Sequence, residues 1–145
     1  MSPVDRIVLA SWISLGIFAV VAIPDALGAS IFETPAAVVS LGLFLVSLPI
    51  WIYAFGLVIL RSSRGDNVEV ISWVFLTGNT APRDVRRHLL GATAVSVVLG
   101  LATAWANPFS VLVPMLSLGF AALWGARHGI YPPRPAPVAA KGVRR

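Results

Sequence analysis

The chain of 145 residues is 57% hydrophobic and 12% charged, with a net charge of +5 and no cysteine. Soluble domains carry roughly 25% charged residues, so catalysis by an attached globular domain is excluded. The missing cysteines also exclude disulfides, zinc–thiolate centres, thiol nucleophiles and palmitoylation. A spanning helix needs about 20 mostly apolar residues, and four such runs use up most of the sequence.

The first span is expected over about residues 7–27. Ser2-Pro3-Val4-Asp5 precedes it as a helix start: serine as N-cap, proline at the first helical position, an acid in the first turn. Gly28 is a plausible stop. A cleaved secretory signal is the rival reading, with Ala26-Leu27-Gly28 as a weak cleavage match. Asp5 beside Arg6, and an apolar run longer than the usual signal core, argue against it. Thr34-Pro35 repeats the cap-then-proline start for a second span over about residues 36–60. Pro49 lies near its middle and cannot donate to the Leu45 carbonyl, which predicts a kink.

Residues 61–88 are the one long polar interruption. Arg61 and Arg64 close the second helix. Residues 67–77 are apolar and aromatic but too short to span, and read as a cytoplasmic interfacial segment with Trp73 at headgroup depth. Asn79 or Thr80 is expected to cap the third span, over about residues 87–106. Asn107-Pro108 forms a tight turn into the fourth, over about residues 108–126, with Pro114 inside it. Residues 129–145, with their Tyr-Pro-Pro-Arg-Pro run, read as a disordered basic tail.

All eleven basic residues fall on one side of this arrangement, while the loops assigned to the other side hold only Asp25 and Glu33. The positive-inside rule then places both termini in the cytoplasm. The expected fold is an all-α membrane protein of four transmembrane helices, N-in and C-in. Such charge reports topology in a membrane protein, so no nucleic-acid partner is expected.

Two stripes of small residues are predicted to pack the third and fourth helices together: Ala92, Ser96, Gly100 and Ala104 on one, Ser117, Ala121 and Gly125 on the other. Arg83, Arg86 and Arg87 share a helix face, and a hairpin turning at Asn107 brings Arg87-His88 level with Arg127-His128. These residues form a candidate contact for anionic lipid headgroups, since arginine suits phosphate and the cytoplasmic leaflet is anionic. The plainer reading is that they are topology-setting charges that snorkel to the interface. Two histidines beside arginines make a poor metal or haem site, so no cofactor is expected.

No Asp, Glu, Lys, Arg or His lies inside the apolar runs themselves (Ile7–Ile23, Ala36–Leu60, Leu89–Ala106 and the fourth helix to about Ala126), which argues against a pump or proton-coupled carrier. No nucleophile elbow, phosphate-binding loop or zinc-protease motif is present. The expected role is a non-enzymatic accessory or scaffold subunit meeting anionic lipid, a membrane-protein partner or further copies of itself. The alternative is a small oligomeric transporter or channel gated near Pro49 or Pro114.

Residues 124–134 (Trp-Gly-Ala-Arg-His-Gly-Ile-Tyr-Pro-Pro-Arg), with Arg64-Gly65-Asp66-Asn67 and Phe75-Leu76-Thr77-Gly78, resemble segments of small uncharacterised four-helix membrane proteins of actinobacteria. The resemblance implies an inner-membrane location and carries no catalytic residues across.

Overall fold

A computed structural model describes residues 3–135 of the chain, with side chains from residue 6. Its five α-helices are α1 (Pro3–Ala26), α2 (Glu33–Ser63), α3 (Val70–Val74), α4 (Arg83–Thr103) and α5 (Pro114–His128). Short 3-10 turns, Ser30–Phe32 and Pro108–Leu112, precede α2 and α5. Among the described residues there is no strand, only an isolated bridge between Asp66 and Pro133. Four stretches are long and apolar enough to cross a membrane: Arg6–Ala26, Ser30–Ser63, Arg83–Thr103 and Pro108–His128.

The sequence logic holds at most boundaries, and the differences have local causes. Gly28 ends the first span at φ +91°, a conformation that suits a residue without Cβ. Thr34 is not a cap, because the 3-10 turn starts the chain turning earlier and α2 opens at Glu33. Asn79 and Thr80 do not cap α4, whose N-cap position is Pro82. Thr80 is instead buried, donating to the Thr77 carbonyl at 2.8 Å. Asn107 does cap, accepting from the Phe109 amide at 3.1 Å, but what it caps is the 3-10 turn. The α-helix begins only at Pro114, because proline has no N–H to give and is tolerated in a first turn. No mid-helix kink therefore sits at Pro114. Pro49 lies on the exposed side of α2, which continues through it.

The helices alternate in direction. α1 and α5 pack on each other and on both α2 and α4, which flank this central pair. At one end α3 packs on α5, and at the other the Pro108–Leu112 turn packs against both α2 and α4. The share of the most apolar stretch buried inside the protein is 56% for the fourth span and 11% for the second. So α5 is the core helix, and α2 shows most of its surface.

Along α2 and α4 the buried side is mostly small and hydroxylated, and most of the large aliphatic side chains of these helices face out. The buried residues of α2 are Ala36, Ser40, Ser47 and Ala54. Those of α4 are Leu89, Ala92, Ser96, Gly100 and Thr103. This inverts the pattern of a soluble protein, as expected where lipid is as apolar as leucine and close packing drives association. Three of the buried hydroxyls serve their own helices: Ser14 donates to the Ser11 carbonyl at 2.9 Å, Ser47 to Phe44 at 2.6 Å and Ser96 to Thr93 at 2.8 Å. Asn107 ties the far end of the bundle, donating through Nδ2 to Ser40 Oγ at 3.1 Å.

Candidate functional site

The described arginines gather at one end of the bundle. Arg6 opens α1, Arg61 and Arg64 close α2, Arg83, Arg86 and Arg87 open α4, and Arg127 and Arg134 follow the end of α5. This basic end carries the most elaborate polar structure in the molecule.

Arg61 is its hub, and its role was not legible in the sequence, where it reads only as a topology charge. The last carbonyls of α5 have no partner within the helix. The Arg61 guanidinium supplies one, donating through Nη1 to the Gly129 carbonyl at 2.8 Å and more distantly to Gly125 at 3.5 Å. A cation at a helix C-terminus also meets the negative end of the helix dipole. Arg61 Nε lies 3.6 Å from Asp66, and the guanidinium sits 5.3 Å from the Tyr131 ring centroid. Tyr131 donates its hydroxyl to the Gly125 carbonyl at 2.9 Å. Burial first, then Asp66, pushes the Tyr131 phenol up to about 12, against the opposing pull of Arg61. The phenol therefore stays a donor at any ordinary pH.

Residues 129–135 are thus structured, not the start of a disordered tail. The Asn67 amide donates to the Pro132 carbonyl at 2.9 Å, Arg134 to Gly65 at 2.7 Å and Ile130 to Thr80 at 3.1 Å. Arg134 also reaches Ser62 Oγ at 2.9 Å through Nη2. Proline blocks helix but leaves its carbonyl free to accept, so the run can dock as an extended strap. The rest of the expected tail, 136–145, lies outside the described residues, as does Ser2. Between strap and loop is a cleft of about 220 Å³, with Asn67, Glu69, Ser72, Thr77, Ile130 and Tyr131 in its lining.

The interfacial reading of residues 67–77 needs correction at Trp73. The helix is only Val70–Val74, and Trp73 is 1% exposed. Its indole N–H donates to the Ala122 carbonyl at 2.7 Å. It meets Phe55 and Trp51 edge-on, with ring centroids 4.8 and 6.1 Å apart. Ala122 lies six residues before the end of α5, about 9 Å into the bundle at 1.5 Å per residue. Trp73 is thus a core side chain plugging the wedge between α2 and α5. The outward face of α3 is made by Val70, Ile71 and Phe75.

The small-residue stripes divide between partners. Ala92, Ser96 and Gly100 are buried on α4, while Ala104 is its half-buried C-cap. A Cβ at Gly100 would lie 2.7 Å from the Ser110 carbonyl and 3.7 Å from Pro114, at the entrance to α5. Ser117 and Ala121 are buried on α5. Gly125 serves α3: a Cβ there would lie 2.5 Å from the Trp73 carbonyl. Gly119, not singled out beforehand, faces Trp51 of α2, whose indole donates to the Met115 carbonyl at 3.0 Å.

Of the candidate lipid contacts, Arg83, Arg87, His88 and Arg127 are exposed, and Arg86 is half-buried. Among the described residues the one ion pair is Arg61 with Asp66, so these arginines hold no carboxylate. His128 is drawn inward, its ring 5.7 Å from Trp124 and its Nε2 buried without a hydrogen bond. Leu89 and Trp124 share one apolar cluster with Leu76 and Ile7, so the two basic pairs do come to similar depth. On α4, however, Arg83 and Arg87 lie opposite the buried Val85–Leu89 side and point away from α5. The site is a rim, not a pocket between α4 and α5.

Among the described residues no group of three or more His, Cys, Asp or Glu could hold a metal ion. Comparison with known protein families, curated proteins and solved structures finds no match to this chain, and nothing in it bears on the actinobacterial resemblance.

Proposed function

We propose that the protein is a non-enzymatic accessory or scaffold subunit of a plasma-membrane assembly, and that α2 is the helix it offers to a transmembrane helix of another subunit. The single observation that carries this is Tyr53. It stands half exposed on the outward side of α2, and its hydroxyl, unlike that of Tyr131, bonds nothing among the described residues. Tyr53 is eight residues above Arg61, about 12 Å into the hydrocarbon. Side chains on a helix lean toward its N-terminus, which aims this phenol deeper still. An unpaired hydroxyl there costs roughly 1–3 kcal/mol. Pro49 leaves the Leu45 carbonyl on the same face without its helical donor. A donor and an acceptor both turned outward at mid-span favour a helix that answers them over lipid.

The surroundings suit such a contact. Val38, Leu45, Ile52 and Ile59 are all exposed and recur at heptad spacing. Beside them Gly56 opens a groove of about 460 Å³, floored by Tyr53, Leu57 and Leu60.

The test is extraction in mild detergent with mass spectrometry of what co-purifies. A stoichiometric membrane protein, lost in Tyr53→Phe/Gly56→Leu, is the expected result. Recovery of this chain alone, with sustained saturable flux in liposomes, would overturn the reading in favour of an oligomeric transporter.

A further inference from the structure

We infer that the cleft between strap and loop is a binding site for a neutral cyclic polyol of monosaccharide size. The site lies at the basic end, uses no residue of the outward face of α2, and stands whether or not a partner subunit docks there.

The frame of the cleft is backbone. The loop over residues 67–80 is joined to the strap at both its ends. The Asn67 amide donates to the Pro132 carbonyl at 2.9 Å, and the Ile130 amide to the Thr80 carbonyl at 3.1 Å. These two bonds close a ring of chain, and residues from both sides of it line the 220 Å³ space. Between them on the strap, Tyr131 is pinned through its hydroxyl to the Gly125 carbonyl at 2.9 Å. On the loop, Thr80 Oγ1 donates to the Thr77 carbonyl at 2.8 Å, and Thr77 Oγ1 to Ser72 Oγ at 3.3 Å. Leu76 leads into this wall with φ +52°, the one positive value at a non-glycine among the described residues. That conformation is disfavoured for a residue with a Cβ, and full burial holds Leu76 in it. Strain of this kind gathers at binding sites.

The backbone is spent on the frame, but the side chains are not. Asn67, Glu69 and Asn79 line the cleft, and none of their side chains makes a hydrogen bond or ion pair among the described residues. A carboxamide both donates and accepts, and a carboxylate accepts. Ser72 adds a hydroxyl to the loop side. From the strap come Ile130 and Pro132, exposed and apolar.

Charge then selects the ligand. Among the described residues no Lys, Arg or His lines the cleft, so an anion would meet Glu69 with no counter-charge. A cation would meet Glu69 inside the field of Arg61, Arg64 and Arg134, of which only Arg61 holds a carboxylate. A neutral ligand avoids both costs. It must donate to a carboxylate, exchange bonds with amides, and fit a space smaller than the roughly 300–1,000 Å³ that drug-sized ligands occupy. A sugar ring does all three: its neighbouring hydroxyls donate and accept, and its C–H face can cover Ile130 and Pro132. The same ring is available free in solution or on the headgroup of a glycolipid.

The experiment is an NMR titration of the full chain, labelled at asparagine, in a detergent whose headgroup is not a sugar. The probes are glucose, galactose and mannose, with butylammonium and butyrate as a cation and an anion. The chain has three asparagines, and Asn107, at the opposite end, is the internal reference. Saturable shifts of Asn67 and Asn79 with at least one sugar, with Asn107 unmoved and neither ion bound, are the expected result. Glu69→Ala and Asn79→Ala should each weaken the sugar about fivefold, equivalent to the ~1 kcal/mol net worth of one hydrogen bond. Glu69 makes no side-chain cap to α3, and both variants keep the backbone frame; an unchanged Asn107 signal checks that they fold. The preferred sugar is then carried on diacylglycerol in phosphatidylcholine nanodiscs. Tighter binding than that of the free sugar assigns the site to a glycolipid headgroup; equal or weaker binding assigns it to a free sugar. Absence of any shift at Asn67 and Asn79 up to about 100 mM of each sugar, far above a millimolar Kd, would overturn the proposal. So would binding of butylammonium or butyrate in place of the sugars, or sugar binding unchanged in both variants. No outcome involves Tyr53 or a co-purifying subunit, so failure here and failure of the accessory-subunit reading are distinguishable.

Discussion

Gly125→Ala is the sharpest probe of how this bundle is assembled. Alanine is the better helix former by about 1 kcal/mol, so on helix propensity alone the variant should be more stable. The structure predicts the opposite. The new Cβ would lie 2.5 Å from the Trp73 carbonyl, 3.0 Å from Leu76 Cδ2 and 3.1 Å from Trp73 Cδ1. The first of these is backbone and cannot swing aside. Restoring ordinary contact requires α3 to recede by about 1 Å, which pulls the Trp73 indole off the Ala122 carbonyl it now meets at 2.7 Å. Overpacking costs about 1–3 kcal/mol, and a buried N–H left without its acceptor about 1–3 kcal/mol more. Set against the helix gain, the net expectation is a loss of about 1–5 kcal/mol. The assay is unfolding in mixed micelles of rising dodecyl sulfate content, followed by circular dichroism. Gly91→Ala is the control, since nothing lies within 4 Å of a Cβ there; it should be neutral or slightly stabilising. The natural chain has no cysteine, so Ile71→Cys gives a unique maleimide site that reports whether α3 has moved. Equal stability of Gly125→Ala and Gly91→Ala, with unchanged labelling at position 71, would refute the placement of α3 against α5.

Two further predictions concern the basic end. Arg61→Gln removes the donor to the Gly129 carbonyl and should cost about 1–3 kcal/mol, the range for a charge-assisted bond in a partly exposed site. It should also speed amide exchange at Asn67 and Arg134, whose N–H groups join the loop and the strap; unchanged exchange at both would show that Arg61 does not hold it. A cycle with Tyr131→Phe should show coupling, since both side chains serve the Gly125 carbonyl. The Tyr131 phenol ionises at about 12 in the folded protein against about 10 in the unfolded chain. Because the folded value is the higher, the stability this group confers is complete below pH 10 and is lost as pH rises toward 12. Phenolate absorbance of wild type minus Tyr131→Phe should show that late midpoint; a midpoint near 10 in the folded protein would refute the buried placement.

The sequence by itself determined the number of spans, the ends at which they turn and the gathering of arginine at one end. Each is local or additive: an apolar run of sufficient length, a proline or glycine at a boundary, a charge too costly to bury in hydrocarbon. The Asn107 cap and the Gly28 stop were readable for the same reason. What only the tertiary structure decided is which side of each helix meets which neighbour. Small-residue spacing says that something comes close to Gly125, but not that it is Trp73 and not α4. An aromatic in a short apolar segment reads equally well as a headgroup anchor or a core plug, because both bury the ring; the acceptor on Ala122 settles it, and Ala122 is remote in sequence. Arg61 and the strap escaped for a related reason. The partners of a helix end are backbone carbonyls, which carry no sequence signature, so a cation that caps them looks like any other arginine until the chain is folded.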